Sequence, residues 1–489
     1  MRIMRFLFLW IPVFLVKLIL VLLILGTPLL GFWLASALAT YLNGPKWMPL
    51  AAGVLLFPIL PLFWDLYTTY RRKRRGIERP RTYHFGYRFI TRTLVLSILF
   101  IGGLVAWVPR NTFIALSTRG DWMLETPQIR QNFSEPQIVT IRQTLFTMAN
   151  SLEWVYVALH SNPYQKYIED TDVPRIKPEP QAQETNVLTT QQVTYETEYG
   201  GWPWSAGTLH PAVVNMPASV EDRIESVANY IAREETDPFL RVKALHDYVA
   251  DRVTYDTASL RAGKYPSQSA LTVFKTRKSV CAGYANLFAA LGKTIGEEVV
   301  VISGNSRNQG TDLSGGGHAW NAVKIQDKWF LVDATWDSGY VNNYVFTKSY
   351  STDYLFPPPE IIAITHFPDD AAWQLLPEPL TRGEFLRQPW LKPSFFAEGM
   401  RLISPLRSQT DVEDEATLQI KNPQKRYLMA KFGKKGGQAT KDCEIKRAEE
   451  TCITCSLPGS GTYEVELFSS PQQYGTYLFI GRIEFNNQL

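Results

Sequence analysis

Four cysteines and six histidines in 489 residues leave few candidates for nucleophilic chemistry, and one segment stands out. Cys281 lies in Lys278-Ser279-Val280-Cys281-Ala282-Gly283-Tyr284-Ala285. Ala285, Phe288, Ala289 and Gly292 follow at i+4, i+7, i+8 and i+11, which predicts a helix that starts at Cys281 and packs along that face. A thiol at a helix start meets the positive end of the dipole and free N–H groups, and both favour the reactive thiolate. Taken alone, such a cysteine serves equally well as a small core residue. His318 opens a second pattern. Gly315-Gly316-Gly317-His318-Ala319-Trp320-Asn321-Ala322-Val323 begins a strand, Gln326-Asp327 suits a two-residue turn, and Lys328-Trp329-Phe330-Leu331-Val332-Asp333 returns. We expect strands over about 318–325 and 328–335. In that register Trp320 faces Asp333 and His318 faces Thr335. His318 and Asp333 are then diagonal neighbours on one face, with Cβ atoms roughly 7 Å apart. A loop one residue longer would turn Asp333 to the opposite face. A carboxylate there can hold the imidazole in one tautomer, and the imidazole can serve a thiol first as base and then as acid.

The three segments together resemble a known family. Cys281-Ala282-Gly283-Tyr284-Ala285, His318-Ala319-Trp320-Asn321 and Val332-Asp333-Ala334-Thr335-Trp336-Asp337 are similar to the ordered signature blocks of the transglutaminase-like, papain-related superfamily. The resemblance implies a Cys281–His318–Asp333 triad. The residue two before the cysteine is often Gly in that family and is Ser279 here. His366-Phe367-Pro368-Asp369-Asp370, Trp373-Gln374-Leu375-Leu376, and the stretch with Phe385, Pro389, Pro393 and Phe395-Phe396 resemble the segment after the core in kyphoscoliosis peptidase-like proteins. An immunoglobulin-like sandwich follows there. The resemblance covers roughly 215–489. It implies an α+β transglutaminase-like (papain-like cysteine peptidase) core with a β-sandwich behind it. No metal or cofactor is implied.

The remaining candidates carry weaker signals. Trp320, Trp329 and Trp336 surround the hairpin; Trp320 and Trp336 are the candidates for lining a substrate groove, with packing beneath the hairpin as the competing use. His366 could act as a second base, but its Pro-rich, aromatic context favours a structural role. Cys443, Cys452 and Cys455 give one Cys-x-x-Cys without a second pair, a weak zinc signal. In an oxidising compartment a disulfide among them is expected, leaving one thiol.

The elements that must position these residues divide the chain. Leu18–Leu42, Trp47–Trp64 and Thr93–Pro109 are uncharged runs, and a membrane span needs about 20 mostly apolar residues. Trp33, Trp47, Trp64 and Trp107 lie near their ends, where interfacial anchors sit. We expect a membrane region over 1–110 with three spans, at about 18–42, 47–66 and 93–109, retained rather than cleaved as a signal peptide. Arg71 to Arg92 holds nine basic residues and one acid, a net +8 against +4 for the whole chain, so the remainder is acidic. The basic charge is thus local, and a nucleic-acid-binding surface is not indicated. A basic loop between spans stays cytoplasmic. That places the amino terminus inside and everything after the third span outside.

Residues 111–214 read as a helical segment and then a Pro-rich linker, 161–200, with Pro163, Pro174, Pro178 and Pro180. Proteolysis there would release a soluble fragment. Helices are expected from Ser219, with Asp222 as capping partner, and from Asp237-Pro238. The transglutaminase-like domain spans 215–380. The short alternating runs 416–420, 427–432, 463–468 and 477–485 predict a sandwich over 395–489.

The function expected is a membrane-anchored, cysteine-dependent acyl-transfer enzyme acting on peptide or carboxamide bonds, a peptidase or amidase more than a cross-linking transglutaminase. The alternative is a non-catalytic extracytoplasmic peptide-binding or scaffold protein of the same fold. The partners expected are a protein or peptide substrate and the lipid bilayer, with no nucleic acid; no oligomeric state is implied. Cys281 N–H is the first oxyanion donor.

Overall fold

The computed structural model describes residues 2–42, 47–76, 84–126, 129, 132–153, 162–168, 202, 207–307, 316–437 and 440–488. Three apolar helices come first: α1 (Arg2–Tyr41), a broken helix over Met48–Arg74 whose second part is α2 (Leu60–Arg74), and α3 (Phe85–Trp107). Each is long and apolar enough to cross a membrane. The third starts eight residues before its uncharged run, carrying Arg88 and Arg92 inside it. Asp65 of α2 accounts for this. Its carboxylate takes Arg88 Nε at 3.0 Å and also pairs with Arg92, so the charges are neutralised between helices. Two more helices follow, α4 (Pro109–Arg119), buried from Thr112 onward, and α5 (Glu135–Asn150).

The central domain is a four-stranded antiparallel sheet with helices against one face. The strand order is β3 (Lys328–Val332), β2 (Gly316–Ile325), β1 (Glu298–Ser306) and β4 (His366–Pro368). The turn between β2 and β3 is Gln326-Asp327, with φ of 50° and 64°, and Ile325 pairs with Lys328. Both positive angles fit the primed turns that match strand twist. The expected register follows from it, but the return strand stops at Val332. Residues 334–337 instead wind into a single helical turn, α10 (Ala334–Asp337), because Asp333 caps it: Oδ1 accepts from Thr335 N at 2.9 Å and Trp336 N at 3.2 Å.

Strand alternation sends Val323, Ile325 and Val332 into a core with α6 (Ile224–Glu234), α7 (Pro238–Arg252) and α9 (Cys281–Thr294). The opposite face carries Val300, Trp320, Ala322, Trp329 and Leu331. Asp237 caps α7 as expected, accepting from Leu240 N at 2.9 Å. The cap expected from Ser219 and Asp222 does not form: α6 begins later, with Arg223 at the N-cap, because 218–220 turn as a separate 3-10 element.

Beyond the core, two sheets share one apolar interior. One orders β5 (Arg401–Ser404), β7 (Glu415–Lys421), β11 (Glu450–Ser456) and β10 (Glu444–Lys446). The other orders β6 (Thr410–Val412), β13 (Leu478–Asn487), β12 (Gly461–Ser470), β8 (Tyr427–Lys434) and β9 (Lys441–Asp442). All four strands read from alternation are present. Cys443 and Cys455 form a disulfide and Cys452 is free. The hydroxyl of Tyr463, near the start of β12, donates back to the carbonyls of Pro458 and, at 3.1 Å, Gly459.

Candidate active site

Cys281 occupies the first position of α9, and local contacts fix it there. Val280 N donates to Gln268 Oε1 at 3.0 Å, which anchors the residue before the helix. Gln268 carries no signal in the sequence beyond being a lone amide in a loop. Gly283 lies over α8 (Ala270–Thr276), and a Cβ there would meet Val273 Cγ2 and Ser279 Cβ at 2.6 Å. The glycine therefore lets α9 approach the chain behind it. Ser279, where the family often has Gly, puts its side chain into the space that Gly283 leaves.

His318 and Asp333 meet as the hairpin geometry requires. His318 Nε2 donates to Asp333 Oδ2 at 2.7 Å, and both side chains are buried. The same oxygen accepts from His366 Nε2 at 3.0 Å. With the two amides of α10 on Oδ1, the carboxylate accepts four hydrogen bonds. Burial works against its charge, yet His318 and His366 hold its pKa well below the usual carboxylate range. Burial also opposes a charge on His318, but Asp333 and Cys281 outweigh it and push the imidazole up to about 10. Since Nε2 is committed to Asp333, Nδ1 is the ring nitrogen left to serve the Cys281 thiol.

The sequence placed His366 outside the chemistry. It lies on the three-residue β4, beyond β1, and its Nδ1 shares a hydrogen bond of 2.9 Å with Thr365 Oγ1. Burial lowers its pKa. Trp320 does not line an open groove: it is 1% exposed, and its ring stacks on His318 with centroids 5.8 Å apart. The strand period sets this, since positions 318 and 320 share a face and the sheet's far layer covers it. Trp336 is half-buried, with ring centroids 5.7 Å from His318 and 4.6 Å from His366.

His318, Asp333 and His366 also form a group whose donor atoms all lie within 4.8 Å. Both imidazoles already share one Asp333 oxygen, so a cation between them would have to displace both hydrogen bonds. The arrangement as it stands suits proton transfer: a thiol at a helix start, an imidazole with one nitrogen fixed, and an acceptor with no spare lone pair.

Comparison with known proteins matches the central domain to a known superfamily. The core model of the Transglutaminase-like superfamily matches residues 225–334, which hold all three residues of the expected triad. Kyphoscoliosis peptidase of Mus musculus is 30% identical over 287 residues, covering 55% of this chain and 43% of that protein. The Homo sapiens protein is 32% identical over 206 residues, covering 40% and 31%. The chain thus spans less than half the length of these relatives. A solved structure described as a TGase aligns at 21% identity and a TM-score of 0.21, over 28% of this chain and 37% of its own. That likeness is too slight to bear on the site. The chain carries a transglutaminase-like domain, preceded by apolar helices and followed by a two-sheet sandwich.

Proposed function

We propose that this protein is a membrane-anchored cysteine acyl-transfer enzyme acting outside the cytoplasm on peptide or carboxamide bonds. The observation that carries this reading is the His318 Nε2–Asp333 Oδ2 bond of 2.7 Å, which leaves Nδ1 as the nitrogen available to Cys281 at the start of α9. The Cys281 thiol gives its proton to His318 Nδ1, and Sγ attacks the carbonyl carbon. The first amide of α9 donates to the developing oxyanion. The tetrahedral adduct collapses to a thioester as the amine leaves with the proton from His318. Water then attacks the thioester, with His318 as base, and returns the free thiol. Similarity to proteins named peptidases favours water over an amine as the acceptor. Because the imidazolium is lost as pH rises through about 10, the rate falls on that limb.

Three features support the remaining parts of the reading. The basic residues at the end of α2 lie at the opposite end of the helical bundle from Pro109, and basic ends stay cytoplasmic. The Cys443–Cys455 disulfide suits an oxidising compartment. The sheet orders and the Tyr463 corner fit an immunoglobulin-like sandwich.

The test is incubation of the full-length protein with casein, with and without a fluorescent amine. Fragmentation that Cys281→Ala abolishes is expected. Amine incorporation without fragmentation would make the protein a transglutaminase. Fragmentation that persists in Cys281→Ala would sink the reading.

A further inference from the structure

Residues 162–168 pass directly over the catalytic pair. Asn162 Nδ2 donates to Gly304 O at 2.8 Å and to His318 O at 2.9 Å, bridging β1 and β2 at the point where His318 sits. Its Oδ1 accepts from Tyr164 N at 3.0 Å, a short turn that aims Tyr164 inward. Tyr164 is 4% exposed and packs with Val280, Cys281, Ala282, Ala285 and Ala319. Its ring lies 5.3 Å from that of Tyr265. One turn further on, Tyr167 O accepts from Asn286 Nδ2 of α9 at 2.8 Å. The Tyr164 hydroxyl lies 3.4 Å from that of Tyr265, and burial, then the nearby Cys281, push the phenol's pKa upward.

The covering is specific. Gly317, one residue before His318, could not carry a side chain: a Cβ there would meet Asn162 Oδ1 and Pro163 Cδ at 2.6 Å. With the segment in place Cys281 is 1% exposed and His318 4%. A substrate carbonyl cannot reach a sulfur enclosed to that degree. The cover is also slight. It is seven residues with a single 3-10 turn at Gln165–Tyr167, and Pro163, Gln165 and Lys166 face solvent.

We propose that residues 162–168 are an autoinhibitory strap, latched by Asn162 and Tyr164, which holds basal turnover low because substrate reaches Cys281 only while the strap is lifted. The proposal rests on the acyl-transfer reading of that cysteine. It assigns regulation to the segment between the membrane-side helices and the catalytic domain, so a change at either could open the site.

Full-length protein in detergent is treated with iodoacetamide, and modification of Cys281 and Cys452 is followed separately by mass spectrometry. Tyr164→Ala and Asn162→Ala should each accelerate labelling of Cys281 at least tenfold, leave Cys452 unchanged and raise casein turnover. Should Tyr164→Ala unfold the domain, labelling of Cys452 and the melting temperature will reveal it. Asn162→Ala then decides, because it removes only hydrogen bonds at the strand ends. No acceleration in the folded variants overturns the strap. Acceleration whose pH profile is indifferent to an added His318→Ala overturns the acyl-transfer reading on which it rests.

Discussion

Asp333 is where the site's two requirements meet. One oxygen caps α10 through two amides, and the other takes both histidines. In the proposed mechanism it does no bond chemistry itself, so its loss and that of His318 should not add. His318→Ala should lower kcat by roughly 10²–10⁴, the usual scale for an acid–base group. Asp333→Ala should leave weak residual activity, and the double variant should cost little beyond His318→Ala alone. His366 is a positioning residue: it touches Asp333 and not the reacting atoms. His366→Ala should cost under about tenfold in kcat and move the alkaline limb of the pH–rate profile, because one of the carboxylate's four bonds is then missing. A limb that stays in place would leave His366 a packing residue only. The helix start at Cys281 and the shared face of His318 and Asp333 were legible because a helical period, a strand period and a two-residue turn fix them locally, and the family resemblance is what joined them as a triad. His366 was not, since its partner lies 33 residues away across β1 and nothing in its own segment marks the pairing. Tyr164 was hidden for the same reason, in a stretch whose composition reads as linker.

At the scale of elements, the β2–β3 turn holds the register that puts Asp333 on the correct face. Gln326 and Asp327 both adopt left-handed angles, at roughly 1–2 kcal/mol each for an ordinary side chain. Asp327 is fully in water, and its 3.5 Å pairing with Lys324 is worth little. Replacing the turn by Asn-Gly (Gln326→Asn with Asp327→Gly) should raise stability by about 1–2 kcal/mol, read from the urea midpoint, with turnover unchanged. A loss of turnover would show that these side chains do more than turn the chain. A second element contact behaves differently. His246 of α7 is fully buried between Asp247, at 2.9 Å, and Asp337 of α10, at 3.1 Å. Burial opposes its charge, but the two carboxylates push it up to about 9. The partners do not respond alike. Asp247 is lowered by His246 and Lys243, whereas burial leaves Asp337 raised. Both carboxylates contact His246, and together they keep it charged in the folded protein. Its pKa is raised on folding, so its contribution is complete below about 6.5 and is lost as pH rises towards 9. His318 has the same sign over a similar window. The melting temperature should therefore fall from pH 6 to pH 9.5, and His246→Gln should flatten part of that slope. An unchanged slope would mean that His246 folds uncharged.

Over the whole molecule, the helices that follow the three apolar ones are built into the body of the protein. The sequence could show one or two helices over 110–160 but not what they cover in the catalytic domain, where the partners lie more than 250 residues away. Phe113 and Ile114 of α4 pack with Phe367, Phe385 and Leu386. Gly383 approaches so closely that a Cβ would fall 1.9 Å from Ser117 O. Asp121, buried after α4, accepts from Arg142 at 2.8 Å, Arg387 at 3.2 Å and Arg407 at 2.7 Å. Burial alone would protonate it, and the three guanidinium groups hold it well below the usual range. Glu153 adds a 2.7 Å bond from Arg382. These contacts change what cleavage between 169 and 200 should do. On composition alone, protease added to spheroplasts should free a soluble catalytic fragment. With this interface the chain should be nicked yet both halves should sediment together with the membrane. Asp121→Ala leaves three arginines around an empty site, and breaking such a buried cluster costs on the order of 3–5 kcal/mol. The nicked variant should release its carboxy-terminal half. The outcomes separate the two ideas involved. Nicking only after lysis would place the catalytic domain in the cytoplasm and overturn the topology. Nicking of intact spheroplasts with release from the unmutated protein would keep the topology and refute the interface.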